Sequence, residues 1–201
     1  DHRDLHSFPT RRSSDLMGLL MAFGVVSAHS DTGDHGGFAS GFMHPILGWD
    51  HVIAMVAVGL WGAFLGKPAI WLLPIVFPLV MAVGGALGVA GMPLPAVEAG
   101  IATSAMLLGI MIAMAAKPPI WVAAVLVGVF AIFHGHAHGT ELPESAGPIV
   151  YSMGFVLATG LLHLIGISFG LLIRWPAGKI TVRALGGIIT LVGLGFLVGV
   201  L

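Results

Sequence analysis

The stretch GFMHPILGWDHVIAMVAVGLWGAF, residues 41–64, places His44, Asp50 and His51 inside an apolar run of membrane character. An aspartate at the centre of a membrane helix costs roughly 2.5–3.5 kcal/mol on insertion scales, so its presence there indicates a use. Helical periodicity puts His44 and His51, seven residues apart, nearly on one face. Met55, four residues further on, shares that face. This segment therefore predicts a membrane helix that carries a binding site.

Pro45 and Gly48 are expected to loosen the helix between the two histidines. Irregular backbone is tolerated at membrane depth where it lines a binding cavity. The side chain of Asp50 points aside by about a third of a turn from the shared face. It is therefore predicted either to orient a histidine ligand or to complete a site with a ligand from a neighbouring helix.

The composition of the whole chain is that of an integral membrane protein. Of its 201 residues, 57% are hydrophobic and only 8% are charged, against about 25% charged in soluble domains. Continuous apolar runs of about 20 residues match helices that cross ~30 Å of hydrocarbon. The net charge of −1 argues against a nucleic-acid partner. The absence of cysteine excludes disulfides and thiolate metal ligands.

The N-terminal part divides into three segments. Residues 1–16 (DHRDLHSFPTRRSSDL) resemble a translated sequencing adapter and are interpreted as non-native, a natural disordered tail being the alternative. Residues 17–28 have the apolar stretch and small-residue end of a cleaved signal peptide. Residues 29–37 are then a polar periplasmic tail, in which His29 and His35 are candidate metal ligands at the entrance, a solvated linker being the equal alternative.

Six apolar segments follow and predict an all-α bundle of about six transmembrane helices. Residues 38–201 are accordingly interpreted as one membrane transport domain. Short connections rich in proline and glycine separate the segments, as loops require. The expected spans are about 38–65, 69–91, 96–116, 119–138, 149–173 and 182–201.

The charged residues predict the orientation of these spans. The basic residues after Met17 fall in or beside the first, third and fifth connections: Lys67, Lys117, Arg174, Lys179 and Arg183. The acids after Met17 and outside the first span lie in the tail or at the second and fourth connections: Asp31, Asp34, Glu98, Glu141 and Glu144. By the positive-inside rule, both termini are expected to be periplasmic and the protein to lie in the bacterial inner membrane.

A second polar cluster, FHGHAHGTELP at residues 133–143, ends the fourth span. If this segment stays helical, His134, His138 and Glu141 share one face, while His136 points the opposite way. The neighbouring glycines make fraying of the helix an equal alternative.

Two isolated polar residues complete a predicted arrangement in two layers. Glu98 starts the third span, and His163 lies near the middle of the fifth, where a hydrogen bond to a neighbouring helix is the alternative to a ligand role. The outer layer is expected to comprise His44, Glu98, His134, His138 and Glu141. The central layer is expected to comprise Asp50, His51 and His163.

Imidazole and carboxylate without thiolate form a ligand set for Ni²⁺, Co²⁺, Zn²⁺ or Mn²⁺. Histidine binds metal only when neutral, so protons compete with the ion. Capture at the outer layer and transport at mid-depth is an arrangement typical of carriers. The metal is interpreted as a transported substrate, and no permanently bound cofactor is expected.

The motifs HPILGWDHVIAMVAVGLWGA, FAIFHGHAHGTELP and GFVLATGLLHLIGI resemble those of the HupE/UreJ family of nickel permeases. The resemblance covers residues 29–201, and its motifs are long. It implies a secondary carrier that imports Ni²⁺, in some members Co²⁺, for hydrogenase or urease maturation. It also implies that His44, Asp50 and His51, with the second cluster, belong to the metal pathway.

Two other functions also use clustered histidines or bound metal. A membrane di-iron oxygenase also uses clustered histidines, but it needs HxxHH-type boxes that this sequence lacks, so an enzyme is not expected. A metal-binding accessory protein for hydrogenase or urease maturation, without transport, is the main alternative. Small-xxx-small spacings such as Gly84–Gly88, Gly166–Gly170 and Gly195–Gly199 predict helix packing and are compatible with a homo-oligomer.

Overall fold

The computed structural model describes residues 37–142 and 147–201. Three predictions lie outside the described residues: the adapter-like segment, the signal peptide, and the polar tail that carries His29 and His35. The fold and the candidate site below are those of the described residues alone.

The described part of the chain is built from α-helices joined by short connections, in agreement with the expected all-α membrane class. Large apolar side chains are exposed along the helices, as a lipid-facing surface requires. The helices are α1 (Gly37–Leu47), α2 (Trp49–Leu65), α3 (Ala69–Val89), α4 (Val97–Ala113), α5 (Ile120–Thr140), α6 (Pro148–Gly170) and α7 (Pro176–Leu197), with a 3₁₀ turn at Leu171–Arg174 after α6.

The expected first span is broken into two helices that meet at an angle of 81°. Gly48 has φ −88° and ψ 107°, an extended conformation that ends α1 and starts α2. Pro45 contributes because it has no N–H to donate within α1. The segment expected as the first span thus consists of two helices, and the break lies at the residues where a loosened helix was expected.

The break changes the surroundings of Asp50. Its carboxylate lies in the first turn of α2 and not in the middle of a helix. A negative charge is favourable beside the unpaired N–H groups of a helix N-terminus. This position offsets part of the cost that an aspartate would have at a helix centre.

Four helices are long and apolar enough to cross a membrane: α3, α5, α6 with its 3₁₀ turn, and α7. The bent pair α1–α2 makes a fifth candidate span. Helix α4 has 17 residues, fewer than the ~20 that a straight crossing needs. Residues 37–142 and 147–201 thus contain four to five candidate spans where six were expected.

Helix α7 begins six residues before the expected start of the sixth span at residue 182. Pro176 occupies its first turn, where the missing N–H of proline costs no hydrogen bond. Lys179 and Arg183, expected in a connection, therefore lie in the first two turns of a helix. The two positive charges are the reason why a connection was predicted in this segment.

Basic and acidic side chains lie at opposite ends of the helices. The Lys117 ammonium lies 5.3 Å from the centroid of the Phe64 ring at the end of α2. Arg183 Nε donates a hydrogen bond of 2.8 Å to the Ala113 carbonyl at the end of α4. Glu98 opens α4 and Glu141 follows α5, at the other end of each helix. The separation of charge on which the topology prediction depends is thus present.

Glycines bring several helices into close backbone contact. Gly84 and Gly88 of α3 face α5, and Gly166 and Gly170 of α6 face α2. At each position an added Cβ would overlap atoms of the facing helix. These two small-xxx-small spacings therefore pack helices within the chain, as expected.

The third spacing does not join two helices. Gly199 has φ +70° and lies beyond the end of α7. An added Cβ at Gly195 would meet the side chain of Leu201. A homo-oligomer through glycine-rich faces stays a prediction.

Replacing Gly166 by alanine is expected to lower the thermal stability of the purified protein in detergent. The new Cβ would overlap the Val56 carbonyl and approach the Leu60 amide, and overpacking of this kind costs about 1–3 kcal/mol. Gly160→Ala on the same helix is the matched control, because an added Cβ there meets nothing within 4 Å. Equal melting temperatures for the two variants would contradict this account of the α2–α6 contact.

Candidate metal site

His44, His138 and Glu141 converge where α1 meets the end of α5, and we call them the outer triad. One ligand atom from each residue lies within 4.8 Å of the others, a spacing suited to a shared metal ion. His44 Nε2 lies 3.3 Å from Glu141 Oε2. Two imidazoles and one carboxylate provide nitrogen and oxygen donors for a first-row divalent cation.

The Glu141 carboxylate lies just beyond the last residue of α5, and its side chain is 53% exposed. Its pKa is lowered from the ordinary value, chiefly because the carboxylate accepts a hydrogen bond from His44. Partial burial acts in the opposite direction and is the smaller influence. The carboxylate therefore stays ionised and attracts cations at the open side of the outer triad.

His138 links the outer triad to a second group of residues. Its ring centroid lies 4.8 Å from that of His44 and 4.4 Å from that of His51. Phe155 of α6 packs against the same ring at 4.3 Å. Among residues 37–142 and 147–201, neither nitrogen of the His138 ring has a hydrogen-bond partner. This buried imidazole can therefore bind an ion held by His44 or an ion held by His51.

Asp50 and His51 form a pair at the start of α2. His51 Nδ1 donates a hydrogen bond of 2.8 Å to Asp50 Oδ1. Such a carboxylate fixes the tautomer of a histidine, so the other ring nitrogen carries the lone pair that binds metal. Nε2 of His51 is buried and has no partner within the described ranges. Of the two roles predicted for Asp50, the geometry favours orientation of a ligand.

Gly48 leaves room for this pair. A Cβ at position 48 would lie 3.0 Å from His51 Nδ1 and 3.1 Å from Asp50 Oδ1. The same residue breaks the helix, so one glycine both bends the chain and admits the two side chains. The closeness of His44 and His51 to His138 arises from this bend and not from a shared face of one straight helix.

His134 continues the group on the other side of His51, at 5.1 Å between ring centroids. Ser104 Oγ of α4 donates a hydrogen bond of 2.6 Å to the Ile101 carbonyl. The Ser104 oxygen therefore accepts from His134 Nε2, 3.0 Å away, which leaves Nδ1 of His134 with the lone pair. Sequence reasoning missed Ser104, since a serine in an apolar helix has no distinguishing pattern.

The other candidate residues lie elsewhere. His136 faces away from the outer triad, as its position in the helix predicts, and its Nε2 donates a hydrogen bond of 2.7 Å to the Met92 carbonyl. Met55 is fully buried in the apolar core. Glu98 is exposed at the start of α4, and it is not part of the metal-ligand group found in the described residues.

The structure does not separate the residues of the two expected layers. His51, assigned to the central layer, lies against His138 and His134 of the outer layer. The distance along a straight helix does not apply, because the chain turns by 81° between His44 and His51. His163 alone lies apart from these imidazoles, in contact with Phe77.

The fold and the site define a class: a multi-pass helical membrane protein with a cluster of histidines and carboxylates. The protein family described as HupE / UreJ protein matches residues 17–196 of this chain. Protein HupE of Rhizobium leguminosarum bv. viciae is 45% identical over 188 residues, which cover 92% of this chain and 98% of that protein. No solved structure matches the chain. The chain belongs to the HupE/UreJ family.

Proposed function

We propose that this protein is a secondary carrier that imports Ni²⁺, or Co²⁺, across the bacterial inner membrane. The observation that carries the proposal is the link between the outer triad and the Asp50–His51 pair through His138, whose ring lies 4.4 Å from that of His51. The resemblance of the motifs to nickel permeases supports the choice of metal. A carrier of this family is not expected to be an enzyme.

The outer triad is proposed to capture the ion. Its carboxylate and two imidazoles replace water molecules of the hydrated cation, and the negative charge of Glu141 offsets part of the charge of the metal. The basic ends of the helices face the cytoplasm by the positive-inside rule, which puts the outer triad on the periplasmic side. The direction of transport is then inward.

The Asp50–His51 pair is proposed as the transport site, with His44 beside it. His138 contacts both His44 and His51, so an ion bound to the outer triad can exchange ligands without leaving coordination by imidazole. The carboxylate of Asp50, behind His51, offsets part of the charge of the ion in a partly buried place where few water molecules can solvate it. Stepwise exchange of ligands lowers the cost of moving a divalent ion away from water.

Uptake of ⁶³Ni²⁺ into liposomes that contain only the purified protein tests the proposal. A carrier gives saturable uptake, reduced by an excess of Co²⁺, whereas an accessory protein binds metal without moving it into the lumen. Empty liposomes give the background. Binding without accumulation, in vesicles that retain a membrane potential and a proton gradient, would contradict transport and favour the accessory role.

Glu141→Gln is expected to raise the KM for Ni²⁺ about tenfold, equivalent to about 1.4 kcal/mol, with a nearly unchanged maximal rate. The side chain is 53% exposed, so water replaces part of the lost interaction and the effect stays moderate. Glu141→Asp keeps the charge and serves as the matched variant, with a smaller rise in KM. A lower maximal rate at unchanged KM would place Glu141 outside the capture step.

A further inference from the structure

One face of α6 carries a line of buried residues that the proposed function does not fully use. Tyr151, Phe155, Thr159 and His163 follow one another at intervals of four and so share one side of the helix. All four are buried. Within the described part of the chain, the Tyr151 hydroxyl, Thr159 Oγ1 and both His163 nitrogens have no hydrogen-bond partner.

The first half of this line faces the site already described. The Tyr151 ring lies 6.0 Å from the ring of His44, and the Phe155 ring lies 4.3 Å from that of His138. The same face of α6 therefore borders the outer triad at one end. Thr159 and His163 continue it, one and two turns further along the helix.

His163 lies at the far end of the line and is 1% exposed. Buried polar groups are normally paired, so an imidazole with two unpartnered nitrogens needs an explanation. The centroid of the Phe77 ring lies 5.5 Å from that of the His163 ring and also 5.5 Å from that of the His134 ring. The Phe77 ring thus contacts both His134, at the edge of the histidine cluster, and His163.

A backbone acceptor also approaches His163. Pro78 has no N–H, so the carbonyl of Pro74, four residues earlier in α3, lacks its helical hydrogen bond. This carbonyl comes near the His163 ring without reaching good hydrogen-bond geometry. The His163 imidazole, the Thr159 hydroxyl one turn earlier on the same face of α6, and the freed Pro74 carbonyl of α3 can each offer a lone pair to a cation.

We propose a second, inner binding site for the transported divalent cation, formed by His163 with Thr159 Oγ1 and the Pro74 carbonyl. This inference rests on the proposed function and adds a step after the Asp50–His51 pair. The inner site has no carboxylate among these donors, so it binds the ion more weakly than the outer triad. Conduction requires sites weak enough to release the ion, and a weaker site at the inner end favours release inward.

Equilibrium binding of Co²⁺ to the purified protein in detergent, followed by its visible absorption, tests the inner site. The wild type is expected to bind two equivalents: one held by the outer triad or the Asp50–His51 pair, which share His138 and so take one ion at a time, and a weaker one at the inner site. His163→Gln is expected to bind one, with the affinity of the tighter site unchanged. In liposomes its maximal rate of uptake is expected to fall at least tenfold, with the KM within twofold of the wild type.

Two further variants keep the test decisive. Thr159→Val removes the hydroxyl at constant shape and is expected to weaken only the second equivalent, while Thr159→Ser restores it. Ser168→Ala removes an exposed hydroxyl from the same helix and is expected to change nothing. If His163→Gln fails to fold, as judged by size-exclusion chromatography, the Thr159 pair decides.

The outcomes separate this inference from the proposed function. A second equivalent of unchanged affinity and wild-type uptake in both His163→Gln and Thr159→Val would overturn the inner site, as would a wild type that binds one equivalent. A wild type that binds two equivalents, the second lost in His163→Gln, but accumulates no metal in liposomes would retain the inner site and overturn transport.

Discussion

Asp50→Asn is expected to reduce metal uptake at least a hundredfold while the protein still folds and inserts. The asparagine keeps the shape of the side chain and can still accept the hydrogen bond from His51 Nδ1. It removes the negative charge that strengthens the hydrogen bond from His51 Nδ1 and offsets the charge of the ion. Loss of a carboxylate partner of a metal-binding histidine alone costs about 10–100-fold. The loss of charge in a partly buried position adds to that effect.

The measurement is the initial rate of ⁶³Ni²⁺ uptake per molecule of protein in liposomes. The effect on stability is expected to be small, since a charge in the first turn of a helix contributes about 0.3–1 kcal/mol. Trp49→Phe is the matched control, because Trp49 is the exposed neighbour in the same turn of α2. Wild-type transport by Asp50→Asn would move the transport site away from the start of α2.

The sequence was sufficient to identify the elements that carry the site but not the way they meet. Hydropathy located the helices because spanning segments must be continuous and apolar. It did not give the 81° turn at Gly48, since a glycine within an apolar run is compatible with a continuous helix. The consequence was a prediction that grouped His44 with His51 by a shared face, whereas the bend brings both to His138.

Helical periodicity was reliable where the helix is regular. It separated His136 from His134 and His138 in α5, and the hydrogen bond from His136 to the Met92 carbonyl agrees with that separation. It had no means of pairing residues from different helices. Ser104 beside His134 and Phe77 beside His163 depend on how α3, α4 and α6 pack, which close glycine contacts decide.

His138→Gln is expected to abolish uptake at every metal concentration, in contrast to Glu141→Gln, which higher metal concentrations restore. The ring of His138 contacts those of both His44 and His51, so its loss interrupts the path between capture and transport. A block in the path lowers the maximal rate, whereas a weaker capture site raises the KM. The two variants therefore divide the site into a capturing and a conducting part.

His136→Gln is the matched control, because His136 lies two residues away in the same helix and is buried to the same degree, at 7% exposure against 6% for His138. Its glutamine can still donate to the Met92 carbonyl, so uptake is expected to fall no more than a few fold. Equal losses in both variants would trace the effect to the packing of α5 and not to metal ligation. Full recovery of His138→Gln at high Ni²⁺ would place His138 in capture alone, and an ion would then have to reach His51 by another route.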